Sequence, residues 1–527
     1  MPRHHKVFEK SCGACFILFS VISTKKFQIY TPRFFCFAAA ALFLLFCSKS
    51  SPLYPMNDWV DVNCFYTMGK SLLAGKVPYL DLYEQKGPVL YFIYALIALV
   101  SPGSYFGVYL LEVVTYGLFL YYGGKILQLY MGETLLAWGL MIIAGGFICV
   151  THAFSHGASV EEMTLFMSAY ALYVGLKACK ENRALQFREA FLCGIWAGML
   201  LWIKYTMLGA YLGLAVFILL WYPGWGQGKQ LLRTIGAFFA GLGAVTAVVF
   251  VYFLFAGGLD ELWTVYFYNN IFLYAKEPDV SKLETVRECL LHTLQLNDKY
   301  TWLFIPGFLW MAVYVVKDPR PFLLASLSFI CMALGTYWGG WKISYYGLVF
   351  AVFTIFGALA IGRLLQLIRL DRFWAKLTRN RFSISALLLT AVICTTSLCV
   401  LKNNRNSYLM GTPKEEMPQY QFAEIINQEE DPSLLNYGFL DGGFYYAADV
   451  VPDCYFFCQL NVVAPGMFDI PRDQINEGTV EFVVTRDRPL EDYYNVDTSN
   501  YDLVDTAELY FEGKTRTYRL YRLKSLA

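Results

Sequence analysis

Between positions 58 and 86 the sequence places Asp58, Asp61, Asp81 and Glu84 in one polar stretch, with Lys86 at its end. Carboxylates in such a place can take a proton from a hydroxyl or bind a metal ion. A lysine beside them can hold a phosphate as a point charge. The same residues also fit solvated loop charges, and a lysine at a membrane edge can reach the headgroups along its own stem. Three other short segments carry chemistry. THAFSHGASVEEM (151–163) holds His152, His156, Glu161 and Glu162. Mixed His and Glu can bind a metal, but neither HExxH nor Cys-His spacing is present. Ser159 and Glu162 equally read as a helix capping box. Lys204, in WIKYT, stands at the end of an apolar run, where an ionisable side chain is a functional candidate by default. YWGGWKISYYG (337–347) sets Lys342, Tyr345 and Tyr346 among Trp338 and Trp341. Such aromatics form an interface belt, and they also offer a surface on which a sugar ring stacks.

These residues must be positioned by membrane helices. The 527-residue chain is 57% hydrophobic and 16% charged, against about 25% charge in soluble proteins. That excludes an ordinary soluble enzyme and a disordered chain. Lys and Arg total 42, Asp and Glu 41, so no basic excess points to nucleic acid. The 14 cysteines fall mostly in apolar runs, where Cys acts as a small hydrophobe. Cys454 and Cys458 lie close enough in sequence to be candidates for pairing.

A spanning helix needs about 20 mostly apolar residues. Eleven segments approach that, near 31–48, 104–124, 134–151, 159–178, 189–206, 207–222, 234–256, 302–316, 321–337, 345–362 and 383–401. The run at 12–23 is too short and reads as interfacial. Residues 1–30 are therefore expected to form a cytoplasmic or interfacial segment. The basic loops, including KDPRP with Lys317 and Arg320, fall on one side, which puts the N-terminus inside and the C-terminus outside. Two outer loops are long, 49–103 and 257–301. Residues 402–527 are polar and Tyr-rich, with strand-like runs YFFCQL (455–460) and VEFVVT (480–485) and a helix expected at 416–430. The fold class expected is an all-α polytopic membrane domain over 31–401, of about 11 transmembrane helices, followed by a small extracytoplasmic α/β domain.

In the first outer loop, helical spacing runs from Asp61 to Leu73 and stops at Gly75. An extended piece is expected from Lys76 to Tyr83. Pro88 suits the first turn of a short interfacial helix, 88–100. The second long loop contains YFYNNIFLYAKEPD, whose Tyr266, Tyr268, Asn269, Asn270 and Tyr274 are available to cover a substrate.

The stretch from Asp61 to Phe92 resembles the first outer loop of membrane-embedded GT-C glycosyltransferases. The branch it resembles is the protein O-mannosyltransferase and lipid A aminoarabinose transferase type, glycosyltransferase family 39-like. The resemblance rests on Asp61 opening a helix, Ala74-Gly75 at the turn, Pro78-Tyr79, and Lys86-Gly87-Pro88 before Leu90-Tyr91. It implies that Asp61 is the catalytic base and that Lys86, with Lys204, contacts a lipid-linked phosphate. It also implies a second acidic residue at Glu161 or Glu162, and a donor pocket lined by the turn of Tyr345 and Tyr346. Two departures stand out. Asp61 is followed by Val62, so the second acid is Asp58, and Gln85 occupies the place of an acid before Lys86. Whether a divalent metal ion takes part stays open.

The function expected is an inverting glycosyltransferase at the outer face of a membrane, for which a bacterial cytoplasmic membrane fits. It would move a hexose or pentose from a polyprenyl-phosphate donor to a glycan, lipid or protein acceptor of the cell envelope. Asp61 or Asp58 would act as base and Lys86, Lys204 and Lys342 as phosphate contacts. Asp81, Glu84, Glu161, Glu162, His156, Tyr345 and Tyr346 would line the pocket. A transporter or flippase of lipid-linked sugars, with Glu112 as its intramembrane charge, is one alternative. An envelope-polysaccharide polymerase or ligase, or a non-catalytic partner with this fold, is another.

Overall fold

The computed structural model describes residues 32–221, 228–274, 280–369, 382–511 and 513–524. The segment expected at 1–30 and the basic cluster from Arg372 to Arg381 lie outside them. Each of the eleven apolar segments carries a helix over its described residues. Phe106–Met131 (α4), Phe187–Met207, Gly228–Ala256, Arg320–Tyr337, Ser344–Leu367 and Ser383–Lys402 are long and apolar enough to cross a membrane. Pro32–Cys47 (α1), Leu135–Cys149 (α5), Gly209–Trp221 and Trp302–Tyr314 are apolar but shorter. Phe255, Trp302, Val313, Leu387 and Leu398 present apolar side chains outward, as a surface solvated by lipid requires. The chain is a multi-pass membrane protein.

Two helices lie in the first long loop, Val60–Leu73 (α2) and Pro88–Val100 (α3), and they pack on each other. Gly75, at φ 88°, ends α2 in a conformation that favours glycine. The piece between them is a tight turn rather than the extended run expected. Tyr79 sits at φ 71°, and the Asp81 Oδ2 accepts the Val77 amide at 2.6 Å. Pro88 occupies the first turn of α3, where no amide donor is needed.

Before Pro88, Gly87 meets the C-terminal end of Phe187–Lys204 (α8) backbone to backbone. Its amide donates to the Ile203 carbonyl at 3.0 Å. A Cβ at Gly87 would lie 2.0 Å from the Trp202 carbonyl oxygen, so only glycine permits this approach. The second long loop is helical: a π-helix, Leu262–Leu273, is followed by Lys282–Leu296. Long π-helices are rare and concentrate at functional sites. Here the inward Asn270 amide donates to the Gln85 carbonyl at 2.8 Å, and the Tyr266 hydroxyl to the Leu201 carbonyl at 2.6 Å.

Beyond Lys402 the chain builds a four-stranded sheet in the order β1-β2-β4-β3 from Leu434–Tyr437, Phe482–Arg486, Tyr501–Phe511 and Lys514–Leu523. β1 and β2 are parallel, and the other pairs are antiparallel. Side chains alternate between faces. Leu434, Phe482, Val484 and Leu520 join the core shared with the membrane helices, whereas Leu435, Val483 and Tyr521 form a small core of their own. The helix expected at 416–430 is Pro418–Ile426. YFFCQL (455–460) is not a strand. It runs irregularly, and its backbone is satisfied piecemeal: Tyr455 accepts from the Tyr83 amide at 2.8 Å and Phe457 from the Tyr445 hydroxyl at 2.6 Å. Every residue of that run from Phe456 to Cys458 is buried, so apolar character here marks an interface rather than a sheet.

This sheet unit rests on α2. Thr67 donates to Asp441 Oδ2 at 2.6 Å, Lys70 pairs with Asp449 at 2.7 Å, and the Tyr446 ring packs against Tyr66 and Tyr105. Asp441 is fully buried. Burial pushes its carboxyl up to about 6, and the donors Thr67, Gly443 and Asn436 pull it back. Its folded value lies above its unfolded one, so its contribution is full below pH 3.8 and is lost as pH rises through about 6. The loss amounts to about 3 kcal/mol at most.

Thermal unfolding of the purified protein between pH 4 and 7 should therefore show a fall in stability with pH that Asp441→Asn lacks. Equal slopes in the two proteins would refute the assignment. For Gly87→Ala we expect a loss of about 1–3 kcal/mol from overpacking, read as a lower Tm. Gly139→Ala is the control, because nothing lies within 4 Å of its added Cβ. A Gly87→Ala Tm equal to that of the control would show that the loop can back away from α8.

Candidate active site

The turn 84–87 is built by its own side chains. Glu84 Oε2 accepts the Lys86 amide at 2.7 Å and also the Tyr91 hydroxyl. The Lys86 carbonyl accepts from Tyr91 at 2.9 Å and from Tyr79 at 2.5 Å. With Gly87 against α8, this holds the Lys86 side chain at the mouth of a cavity of about 510 Å³. The Lys86 ammonium lies 5.7 Å above the Phe65 ring. Among the described residues no carboxylate lies within ion-pair distance of it. Burial works against its charge, but the summed field of Asp61, Glu84 and Glu161 outweighs burial and holds the ammonium above its usual range.

Lys204 faces it from the end of α8. Its Nζ is 2.5 Å from Glu161 Oε1 and 4.0 Å above the Tyr346 ring. The Tyr345 hydroxyl donates to Asp61 Oδ2 at 3.0 Å, and the Tyr346 hydroxyl lies 3.0 Å from that of Tyr274. Trp341 stacks on Tyr274 at 5.0 Å and donates its indole N–H to the Tyr274 carbonyl. Lys86, Lys204, Asn270, Tyr274, Trp341 and Tyr346 line the cavity. Asp61, in the first turn of α2, is outside the lining and bonded to Tyr345, the chain neighbour of the lining residue Tyr346. Three lysines, Lys86, Lys204 and Lys282, and stacked aromatic rings thus line one partly enclosed space, with the Asp61 carboxylate held by Tyr345. Such a set can hold a phosphate, take a proton and seat a ring.

Other candidates lie elsewhere. Asp58 is buried, with Oδ1 2.5 Å from the fully buried Lys49, which also donates to the Tyr408 hydroxyl at 2.9 Å. Asp58 is committed to that pair, which corrects its reading as a second base. Glu162 accepts the Ser159-capped turn's Ala158 amide at 2.9 Å, and the same N–H reaches Glu112 at 2.7 Å. Ser48 donates to Glu112 at 2.8 Å. Glu112 and Glu162 therefore shape the turn that presents Glu161. His156 lies between the Trp59 and Phe511 rings, with centroids at 5.3 and 6.4 Å. Burial, then the nearby Lys49 and Arg405, holds its imidazole well below the usual value. Asp81 and Glu84 build turns, and the exposed Lys342 pairs with Glu288 at 3.2 Å, off the cavity lining.

The sequence did not single out Lys49, although a lysine closing an apolar run beside acids was a visible sign. Lys282 and Thr206 also line the cavity and carried no local signal. Among the described residues no group of three or more His, Cys, Asp or Glu side chains is placed to hold a metal ion. The donor set of the cavity, lysines, an amide and aromatic hydroxyls, does not fit a metal cage. A larger groove of about 840 Å³ opens between α5 and Phe382–Lys402. No charged side chain lines it, so it lacks the groups that the chemistry needs.

No family model and no curated protein sequence matches the chain. Solved structures do. ArnT from Cupriavidus metallidurans bound to undecaprenyl phosphate aligns with a TM-score of 0.56 and 13% identity, covering 93% of this chain and 98% of that one. ArnT from the same organism in the apo state aligns at 0.55 and 13%, covering 97% and 98%. The likeness is one of fold along nearly the whole of both chains. The chain shares the polytopic fold of these ArnT structures, in keeping with the resemblance read from its first long loop.

Proposed function

We propose that this protein is a glycosyltransferase that takes its sugar from a polyprenyl-phosphate donor at the outer face of the membrane. The observation that carries the reading is the Lys86 ammonium. It is charged, half-buried, turned to a cavity and without an ion-pair partner among the described residues. A cation so placed is pre-organised for an anion that arrives with the substrate. The structural neighbour that binds undecaprenyl phosphate supports a lipid phosphate as that anion. A lipid-borne donor also accounts for a site built at the edge of a membrane domain.

In this reading Asp61 takes the proton of the acceptor hydroxyl while Tyr345 steadies its other oxygen. The hydroxyl attacks the anomeric carbon, the bond to the lipid phosphate breaks, and one displacement inverts the centre. Lys86 meets the charge that grows on the departing phosphate. Lys204 joins it when Glu161 yields. Tyr346, Tyr274 and Trp341 supply faces for the sugar. The basic loops on one side of the membrane support an outward-facing site.

The protein in lipid nanodiscs, given a panel of polyprenyl-phosphate sugars and a broad acceptor mixture, should release free polyprenyl phosphate. Asp61→Asn should abolish release, and Lys86→Met should lower it about 10²–10³-fold. Lys342→Met should stay close to wild type. Release that survives Asp61→Asn would move the base elsewhere. A panel with no turnover would turn the assignment toward lipid-sugar translocation.

A further inference from the structure

We propose that Cys64 and Cys458 form a disulfide that staples the C-terminal sheet unit to α2, the helix that carries Asp61. The two sulfurs are 3.8 Å apart although 394 positions separate them. A disulfide bond is about 2.0 Å long, so closure needs the sulfurs to approach by about 1.8 Å. The pair sits inside a built interface. Thr67–Asp441, Lys70–Asp449 and Tyr66–Tyr446 flank it on the same helix, and the Tyr83–Tyr455 backbone bond flanks it on the same loop. Cys454 is buried next to Asp453, which pairs with Lys76, and it is Cys458 whose sulfur faces Cys64.

The inference rests on the proposed outward orientation, because structural disulfides persist in oxidising compartments. The reaction is thiol–disulfide exchange. A thiolate from one cysteine attacks a small disulfide or the disulfide of a thiol oxidase, and a mixed disulfide forms as one thiol leaves. The second cysteine displaces the second thiol. The protein loses two protons and two electrons, and the oxidant gains them. Burial pushes both thiols up, so exchange belongs to the stage before the sheet unit seals over α2. The same burial shields the finished bond from reductant. A staple here would hold the base-bearing helix against movements of the domain above it.

Membranes dissolved in denaturant with N-ethylmaleimide, then digested, should yield one cross-linked peptide pair carrying Cys64 and Cys458. Purified protein reduced in denaturant and refolded with oxidised glutathione should give the same pair. Refolding under reductant instead of glutathione should lower the Tm of the wild type and of Cys454→Ser, and should leave Cys64→Ser unmoved. Both thiols alkylated after refolding with glutathione, or a link to Cys454, overturns the proposal. Orientation is read separately, from labelling of the exposed substitution Asp497→Cys by an impermeant maleimide in intact cells. Label that enters only after lysis overturns the outward reading, and the glutathione arm then decides the pair by itself.

Discussion

The cavity depends on one contact, the meeting of backbones where Gly87 abuts the Trp202 carbonyl and donates to Ile203. That contact draws two lysines, Lys86 and Lys204, into one space from opposite elements. Like charges brought together out of water repel strongly. The fold answers with carboxylates placed unequally. Glu161 pairs directly with Lys204, whereas Asp61 and Glu84 act on Lys86 through space. One of these two cations is therefore paired directly and the other is balanced only through space. That asymmetry is the chemical content of the site.

The site also depends on how α2 is held. Asp61 stands in its first turn, and nearly every residue from Val60 to Ser71 is buried. From one side α2 meets α3, and from the other the sheet unit bears on it through Thr67, Lys70 and Tyr66. Just before α2, Asp58 is tied to Lys49 at the end of α1, and Phe511 of the sheet lies 5.7 Å from that ammonium. Breaking a buried pair by removing one partner costs about 3–5 kcal/mol. This pair joins the first membrane helix, the loop and the last hairpin. It accounts for an acid that looks catalytic in the sequence yet serves the frame.

Much of the architecture was legible because its causes are local. Apolar run length marks membrane helices, Gly75 marks the end of α2, and Pro88 marks the start of α3. The Lys86-Gly87-Pro88 turn carried the fold resemblance, and the solved structures share that fold at 13% identity. Where local pattern misled, the environment had changed its meaning. YFFCQL is apolar because it is pressed between α2 and the sheet unit, and apolar composition there could not distinguish a strand from a buried coil. The π-helix Leu262–Leu273 could not be read from periodicity, since its inward residues are selected by contacts with Gln85 and Leu201.

The sequence by itself determined that the chain is a multi-pass membrane protein, that its polar chemistry gathers in the first long loop, and which acids and lysines were candidates. Composition and spacing act over a few residues, and that range is enough for helices, turns and the charges they carry. Only the tertiary structure decided which charges meet. Asp58 and Asp61 are three residues apart and equivalent in pattern, yet Asp58 is buried against Lys49 while Asp61 takes a hydroxyl from Tyr345, 284 positions away. Lys204 and Lys342 look alike as lysines beside aromatic residues. One is desolvated against Glu161, and the other lies exposed beside Glu288. A charge's role is set by its burial and by partners distant in the chain, and neither is written in its neighbours.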